Sequence, residues 1–114
     1  MTAEGLPRRC RLTRASEIQA VLAGGKRRRT PRLEIIWCSN PHDHPRLGVI
    51  TPRFGRSAVD RNRLRRRLRE HARRRLLPRV PPLDILIRAR PPAYGSRTAE
   101  LANDLDRWCA QLDS

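Results

Sequence analysis

The segment from Ser57 to Leu77 constrains the fold most, because it contains neither proline nor glycine and is followed directly by Pro78. Such a stretch predicts a helix of about 20 residues, with Ser57 as its N-cap and Asp60 near its positive end. Its apolar positions are four residues apart and form a narrow stripe: Leu64, Leu68, Ala72 and Leu76. The helix is therefore expected to touch a core along one edge only.

Most of the positive charge lies in the same segment. The chain has 114 residues and a net charge of +15, and all but one of its 26 basic residues are arginine. Between Arg53 and Arg79 stand twelve arginines and only two acids, so two thirds of the net charge lies there. Like charges three and four residues apart on a helix repel each other. The pattern predicts that a polyanion, most commonly a nucleic acid, lies along this helix.

The segment before this helix predicts a loose N-terminal arm and a first helix. Residues 1–12 are polar and basic, and residues 13–114 are expected to form a single RNA-binding domain. Thr13 is a plausible N-cap for a helix that runs to about Ala23 and ends at Gly24-Gly25.

Three apolar segments have the pattern of strands. Leu33–Cys38 alternates between two faces, Leu47–Thr51 is shorter, and Leu83–Ala89 is apolar enough to be central in a sheet. The first two are expected to form an antiparallel pair, because only a short turn separates them. Lys26–Arg29 is expected to be a basic loop tip.

A last helix is predicted after Ser96 or Thr98, either of which would cap it. Its apolar face is formed by Leu101, Leu105, Trp108 and Leu112. The element order is then αββαβα. This order predicts an α/β (α+β) fold, in which helices pack on one sheet.

Several classes of function are disfavoured by composition. Two-metal nuclease chemistry needs clustered carboxylates, whereas the following acids are scattered without paired spacing: Glu17, Glu34, Asp43, Asp60, Glu70 and Asp84. The three cysteines form no C-x-x-C pair, and His42-Asp43-His44 is more typical of a solvated loop than of a metal site. No apolar run approaches the length of a membrane span, and no secretory signal is evident, so a cytoplasmic location without a membrane partner is expected. A general RNA-binding structural protein, ribosomal or nucleoid-like, remains an alternative.

The chain resembles the protein subunit of bacterial ribonuclease P. The resemblance centres on Arg61-Asn62-Arg63 followed by a leucine and further arginines, after the lead Phe54–Asp60. It extends to the strand segments Arg46–Val49 and Asp84–Arg90 and to the first helix at Leu12–Gly25. The matching segments occur in the same order with short gaps, which makes the combination more specific than the arginine helix alone.

This resemblance implies a small sandwich with one mixed sheet and a left-handed β-α-β crossover, against the usual hand. It implies a protein without catalytic residues and without a small-molecule substrate. The partners would be the ribonuclease P RNA and precursor tRNA. The RNA subunit and its substrate would hold Mg²⁺ and carry out the cleavage that leaves the mature 5′ end of the tRNA.

The resemblance also implies two sets of site residues. The RNA-binding set comprises Arg53, Phe54, Arg61, Asn62, Arg63, Arg65, Arg66, Arg69 and Arg73. The set for a cleft that holds the single-stranded 5′ leader comprises Ile18, Leu22, Ile35, Trp37 and Arg90. Asn62 would either bind RNA or order neighbouring arginines, and Trp37 would either stack on RNA or belong to the core, the latter being favoured. Ile18 and Leu22 stand where the family commonly has aromatic residues.

Overall fold

The computed structural model describes residues 6–112. Three helices and four strands follow one another in the order αβββαβα. The helices are α1 (Ala15–Gly24), α2 (Ala58–His71) and α3 (Thr98–Leu112), and the strands are β1 (Lys26–Arg29), β2 (Leu33–Ser39), β3 (Arg46–Ile50) and β4 (Leu83–Ala89). The predicted α+β class, with helices packed on one mixed sheet, is confirmed.

The strands form one sheet in the order β1-β2-β4-β3, so the expected antiparallel pairing of β2 with β3 is wrong. β4 lies between them, antiparallel to β2 and parallel to β3. All but one of the β4 residues are buried, which explains why this strand takes an interior position in the sheet. The chain passes from β3 to β4 through α2. The hand of this crossover stays an expectation from the resemblance.

The segment Lys26–Arg29 is a strand and not a loop tip. It pairs antiparallel with β2, with Lys26 opposite Trp37 and Arg29 opposite Glu34. All four residues of β1 are exposed, so no alternation of apolar and polar residues marks it in the sequence. A short, charged edge strand of this kind is a common protection against pairing with another chain.

Apolar side chains pack on both faces of the sheet. The larger core contains the predicted α2 stripe, the apolar face of α3 and the odd-numbered β2 side chains Leu33 and Ile35. The smaller core lies under α1 and includes Val21, Ile36 and Leu86. The alternation predicted for β2 is therefore confirmed, and each of its faces is covered by different helices.

The beginning of the described chain is packed against the sheet. Leu6 and Leu12 are buried, and the Leu12 amide donates to the Leu47 carbonyl at 2.8 Å. A side chain at Gly48 would meet Leu86 at 2.7 Å and the Leu12 carbonyl at 3.0 Å, so glycine permits this close approach. The expected loose arm is therefore wrong for residues 6–12, whereas residues 1–5 lie outside the described residues.

The helix ends agree with the sequence at α2 and differ elsewhere. The Ser57 hydroxyl caps α2 by accepting from the Asp60 amide at 3.1 Å, as predicted. Beyond His71 the helix continues as a wider π-type turn over Ala72–Leu76. α1 begins after Arg14 and not after Thr13, and the residue before α3 is Arg97, whose amide donates to Glu100 at 2.8 Å.

Candidate nucleic-acid interface

The loop before α2 presents an aromatic ring to solvent. Phe54 has a φ of 45° and Gly55 a φ of 77°, so the chain turns sharply just before the helix cap. Non-glycine residues in this left-handed region are strained and are found disproportionately at functional sites. The Phe54 ring is 50% exposed and meets Tyr94 edge-on at 6.4 Å. Arg56 lies over the other ring of this pair, 5.2 Å from the Tyr94 centroid.

Two arginines of the predicted RNA-binding set dock α2 against the end of β3. Arg61 Nε donates to the Thr51 carbonyl at 3.4 Å, and Arg65 Nη2 donates to the Thr51 hydroxyl at 2.9 Å. Arg65 Nη1 also donates to Asn62 Oδ1 at 2.9 Å. Asn62 therefore orders a neighbouring arginine, which was one of its two predicted roles, and its contact with RNA stays a prediction.

Three further arginines form the uncompensated side of α2. Arg63, Arg66 and Arg69 are exposed and have no ion pair within residues 6–112. Arg63 and Arg66 line one shallow surface concavity with Asn62, and Arg69 lines an adjacent one. Partial burial and the nearby cations of Arg11 and Arg65 lower the pKa of Arg69. Crowding of this kind favours an anion at the surface.

Other arginines of the same segment are paired with acids of the protein. Arg73, a member of the predicted set, pairs with Glu70 at 2.6 Å, and Arg74 pairs with the same carboxylate at 2.8 Å. These two cations lower the Glu70 pKa. Arg75 and Arg79 reach Asp106 of α3. The end of the basic segment is thus bound to internal acids, whereas its beginning is not.

The residues predicted for the leader cleft do not lie together. Ile18 and Leu22 pack against the smaller core on the α1 side of the sheet. Ile35 is fully buried on the opposite side, and Trp37 packs there edge-on against Trp108 with 5.2 Å between the ring centroids. The prediction that Ile35 and Trp37 share one cleft with α1 is wrong. Successive residues of a strand alternate between the faces of the sheet, and these two lie on the face away from α1.

Arg90 is held at the turn between β1 and β2. Its Nη1 donates to the carbonyls of Thr30 and Pro31 at 2.5 and 3.2 Å. These contacts give the Arg90 side chain a structural role at the end of β4. Any contact of Arg90 with RNA stays a prediction.

A charged cluster that the sequence reasoning missed stands on the α1 side of the sheet. Glu34 is 8% exposed and pairs with Arg27, Arg29 and Arg88 at 3.5, 3.8 and 3.3 Å. The strand register places Glu34 directly opposite Arg29 on one side and Arg88 on the other. The sequence carries one signal of this cluster, because Glu34 and Arg88 each interrupt an apolar strand and their charges are opposite.

Neither a cluster of metal ligands nor a membrane-spanning helix is present in the described part of the chain. Residues 6–112 contain no group of three His, Cys, Asp or Glu side chains arranged to hold a metal ion. None of the three helices is long and apolar enough to cross a membrane.

Comparison with known proteins agrees with the resemblance. The family model for ribonuclease P matches residues 6–113. The chain belongs to the ribonuclease P protein family. The ribonuclease P protein component of Acidothermus cellulolyticus is 37% identical over 109 residues, covering 94% of this chain and 91% of that protein. The component from Mycobacterium avium is 37% identical over 113 residues, covering 94% of each.

Solved structures of ribonuclease P proteins share the fold. The protein from Staphylococcus aureus superimposes with a TM-score of 0.79 at 26% identity, covering 86% of this chain and 90% of that one. The protein from Thermotoga maritima superimposes with a TM-score of 0.80 at 22% identity, covering 89% and 96%, and shows similarity of fold alone. Membership of this family implies an RNA partner.

Proposed function

We propose that this ribonuclease P protein binds the RNA subunit of the enzyme through the uncompensated side of α2. The observation that carries the proposal is the unequal pairing of the arginines. Arg63, Arg66 and Arg69 have no ion pair within residues 6–112, whereas Glu70 of the same helix pairs with both Arg73 and Arg74. Guanidinium groups bind phosphate through two parallel hydrogen bonds, so a phosphate backbone would compensate this surface.

The protein then contributes binding, and the RNA subunit contributes the chemistry. Among the described carboxylates, Asp60 at the start of α2 has no ion pair. The others are all engaged in ion pairs: Glu17, Glu34, Asp43, Glu70, Asp84, Glu100, Asp104 and Asp106. Two-metal hydrolysis of a phosphodiester needs carboxylates grouped around the ions. This supports a division in which Mg²⁺ is held by the RNA subunit and the precursor tRNA.

The 5′ leader of the precursor would pass on the α1 side of the sheet. Ile18 and Leu22 are half-buried there and offer apolar contact. Arg27 and Arg88, held by Glu34, offer cations to the leader phosphates nearby on the sheet. Because aliphatic side chains do not stack on bases as aromatic rings do, contact with the leader would depend mainly on its backbone. A protein with these activities would act in the cytoplasm.

The proposal is tested by maturation of a precursor tRNA. A bacterial ribonuclease P RNA is assayed at low Mg²⁺ with this protein, without it, and with a basic ribosomal protein as a control. We expect correct 5′ ends to form efficiently only with this protein. Equal rescue by the ribosomal protein would reduce its role to that of a general cation and would overturn the proposal.

A further inference from the structure

A second cationic surface lies away from the exposed side of α2, where the N-terminal turn meets the beginning of α1. It surrounds a cavity of about 440 Å³. Four arginines line this cavity, together with the Thr13 hydroxyl: Arg8, Arg9, Arg11 and Arg14. We call this group the N-terminal arginine pocket.

The acids near the pocket are already engaged. Arg46, which also lines the cavity, pairs with Glu17 at 3.1 Å and with Asp84 at 2.7 Å. Glu17 is the acid that lines the cavity, and it shares the single Arg46 cation with Asp84, so this group of three carries one net negative charge beside the four arginines. None of the four arginines of the pocket has an ion pair within residues 6–112. Their four positive charges are therefore uncompensated by the described protein.

The backbone that carries these arginines is fixed. Leu6 and Leu12, which flank Arg8, Arg9 and Arg11, are buried, and Arg14 is the residue before α1. The Arg9 carbonyl lies 3.0 Å from His44 Nε2, and Arg11 Nε donates to the Leu6 carbonyl at 2.9 Å. The fold thus brings four exposed arginines of like charge around one cavity, where they repel each other. An anion in the cavity would reduce that repulsion.

From this arrangement we infer that the N-terminal arginine pocket is a phosphate-binding site for a phosphodiester of the bound RNA. The inference rests on the proposed RNA-binding function and adds a second place of contact. The guanidinium groups and the Thr13 hydroxyl are donors suited to phosphate oxygens. Arg11 of the pocket is also one of the nearby cations that lower the pKa of Arg69, so the pocket adjoins the end of α2 that carries Arg69.

The first test measures amide chemical shifts by NMR during titration with inorganic phosphate and, separately, with a short single-stranded RNA. The pocket variant is Arg9→Gln/Arg14→Gln. The control is Arg28→Gln/Arg107→Gln, which removes the same charge from exposed and unpaired positions on β1 and α3. We expect both ligands to shift amides of residues 8–17, and we expect at least tenfold weaker phosphate binding in the pocket variant but not in the control.

In the titration with RNA, the salt dependence of the binding constant reports the number of phosphate contacts. Removal of two phosphate contacts should reduce the slope of log K against log salt concentration by about 1.4 for single-stranded RNA. Shifts by phosphate alone would overturn the assignment to RNA. Absence of shifts with both ligands, or an equal response of the pocket and control variants, would overturn the site itself.

Failure of this inference is distinguishable from failure of the proposed function. An Arg63→Gln/Arg66→Gln variant should retain phosphate binding at the pocket, because those residues lie on α2 and do not line the cavity. If precursor maturation proceeds while the pocket binds no RNA, only the pocket is refuted. If the pocket binds single-stranded RNA but maturation is not rescued, the proposed function fails and the pocket stands.

Discussion

Neutralising Arg63 and Arg66 is the sharpest test of the α2 interface. Both side chains are exposed, line the same shallow concavity and have no ion pair within residues 6–112. The double change to glutamine removes two charges and keeps good helix formers on the helix surface. Because no described contact of the fold is lost, we expect the free energy of unfolding to change by less than about 0.5 kcal/mol.

The loss of RNA affinity follows from counterion release. Each phosphate contact adds about 0.7 to 0.9 to the slope of log K against log salt concentration. Over the tenfold range from 1 M to 0.1 M salt, the parent protein gains about 1.4 to 1.8 log units of affinity more than a variant that lacks two contacts. The variant therefore binds roughly 25- to 60-fold more weakly at 0.1 M salt. This corresponds to about 2 to 2.5 kcal/mol.

The assay is fluorescence anisotropy of a labelled ribonuclease P RNA, titrated with protein at several salt concentrations. The matched control is Arg28→Gln/Arg107→Gln, which has the same net charge. We expect the α2 variant to lose affinity and salt slope, and the control to change by less than about threefold. Equal losses in the two variants would show that RNA senses total charge only, and the assignment of the interface to α2 would be wrong.

Three further changes probe other parts of the structure. Arg46→Met leaves Asp84 and Glu17 without their partner, and since the Arg46 side chain is only 12% exposed, urea unfolding should show a loss of about 3 kcal/mol. Phe54→Leu should leave stability nearly unchanged but weaken RNA binding by about 1 kcal/mol in the anisotropy assay if a base stacks on the exposed ring. A hydrogen-bonded carboxylate and a backbone carbonyl raise the His44 pKa, so its stabilisation is full below the ordinary pKa and lost as pH rises through the folded-state pKa. Urea unfolding between about pH 5 and pH 8 should show this decline in the parent protein and not in His44→Gln.

The elements that the sequence predicted well are those in which the period of apolar residues matches their geometry. The four-residue spacing from Leu64 to Leu76 identified the buried edge of α2, and alternation in β2 separated Ile35 from Ile36. Burial of apolar surface drives both patterns, so they are visible in one strand or helix taken alone. Ser57 was equally visible, because a cap needs only its neighbouring residues.

The parts that were not predicted depend on contacts between distant residues. β4 begins at Leu83, thirty-six positions after Leu47. Nothing local in Leu47–Thr51 shows that this later strand separates it from β2. The separation of Ile35 and Trp37 from the α1 side has a similar cause. The favoured core position of Trp37 is confirmed, and the partner that fixes its face is Trp108, which the chain supplies from its last helix.

The distribution of ion pairs gives the arginine-rich segment two different roles that its composition does not separate. Arg67 donates to the Ser96 carbonyl and Arg75 pairs with Asp106, so these residues attach the segment to the chain around α3. Arg63 and Arg66 have the same local sequence environment but face away from those acids. Asp106 of α3 and Glu70 of α2 itself therefore determine which arginines remain available. Without these two acids the same helix would carry unpaired arginines over all of its surface outside the leucine stripe, and it would lose the directional surface on which selective RNA binding depends.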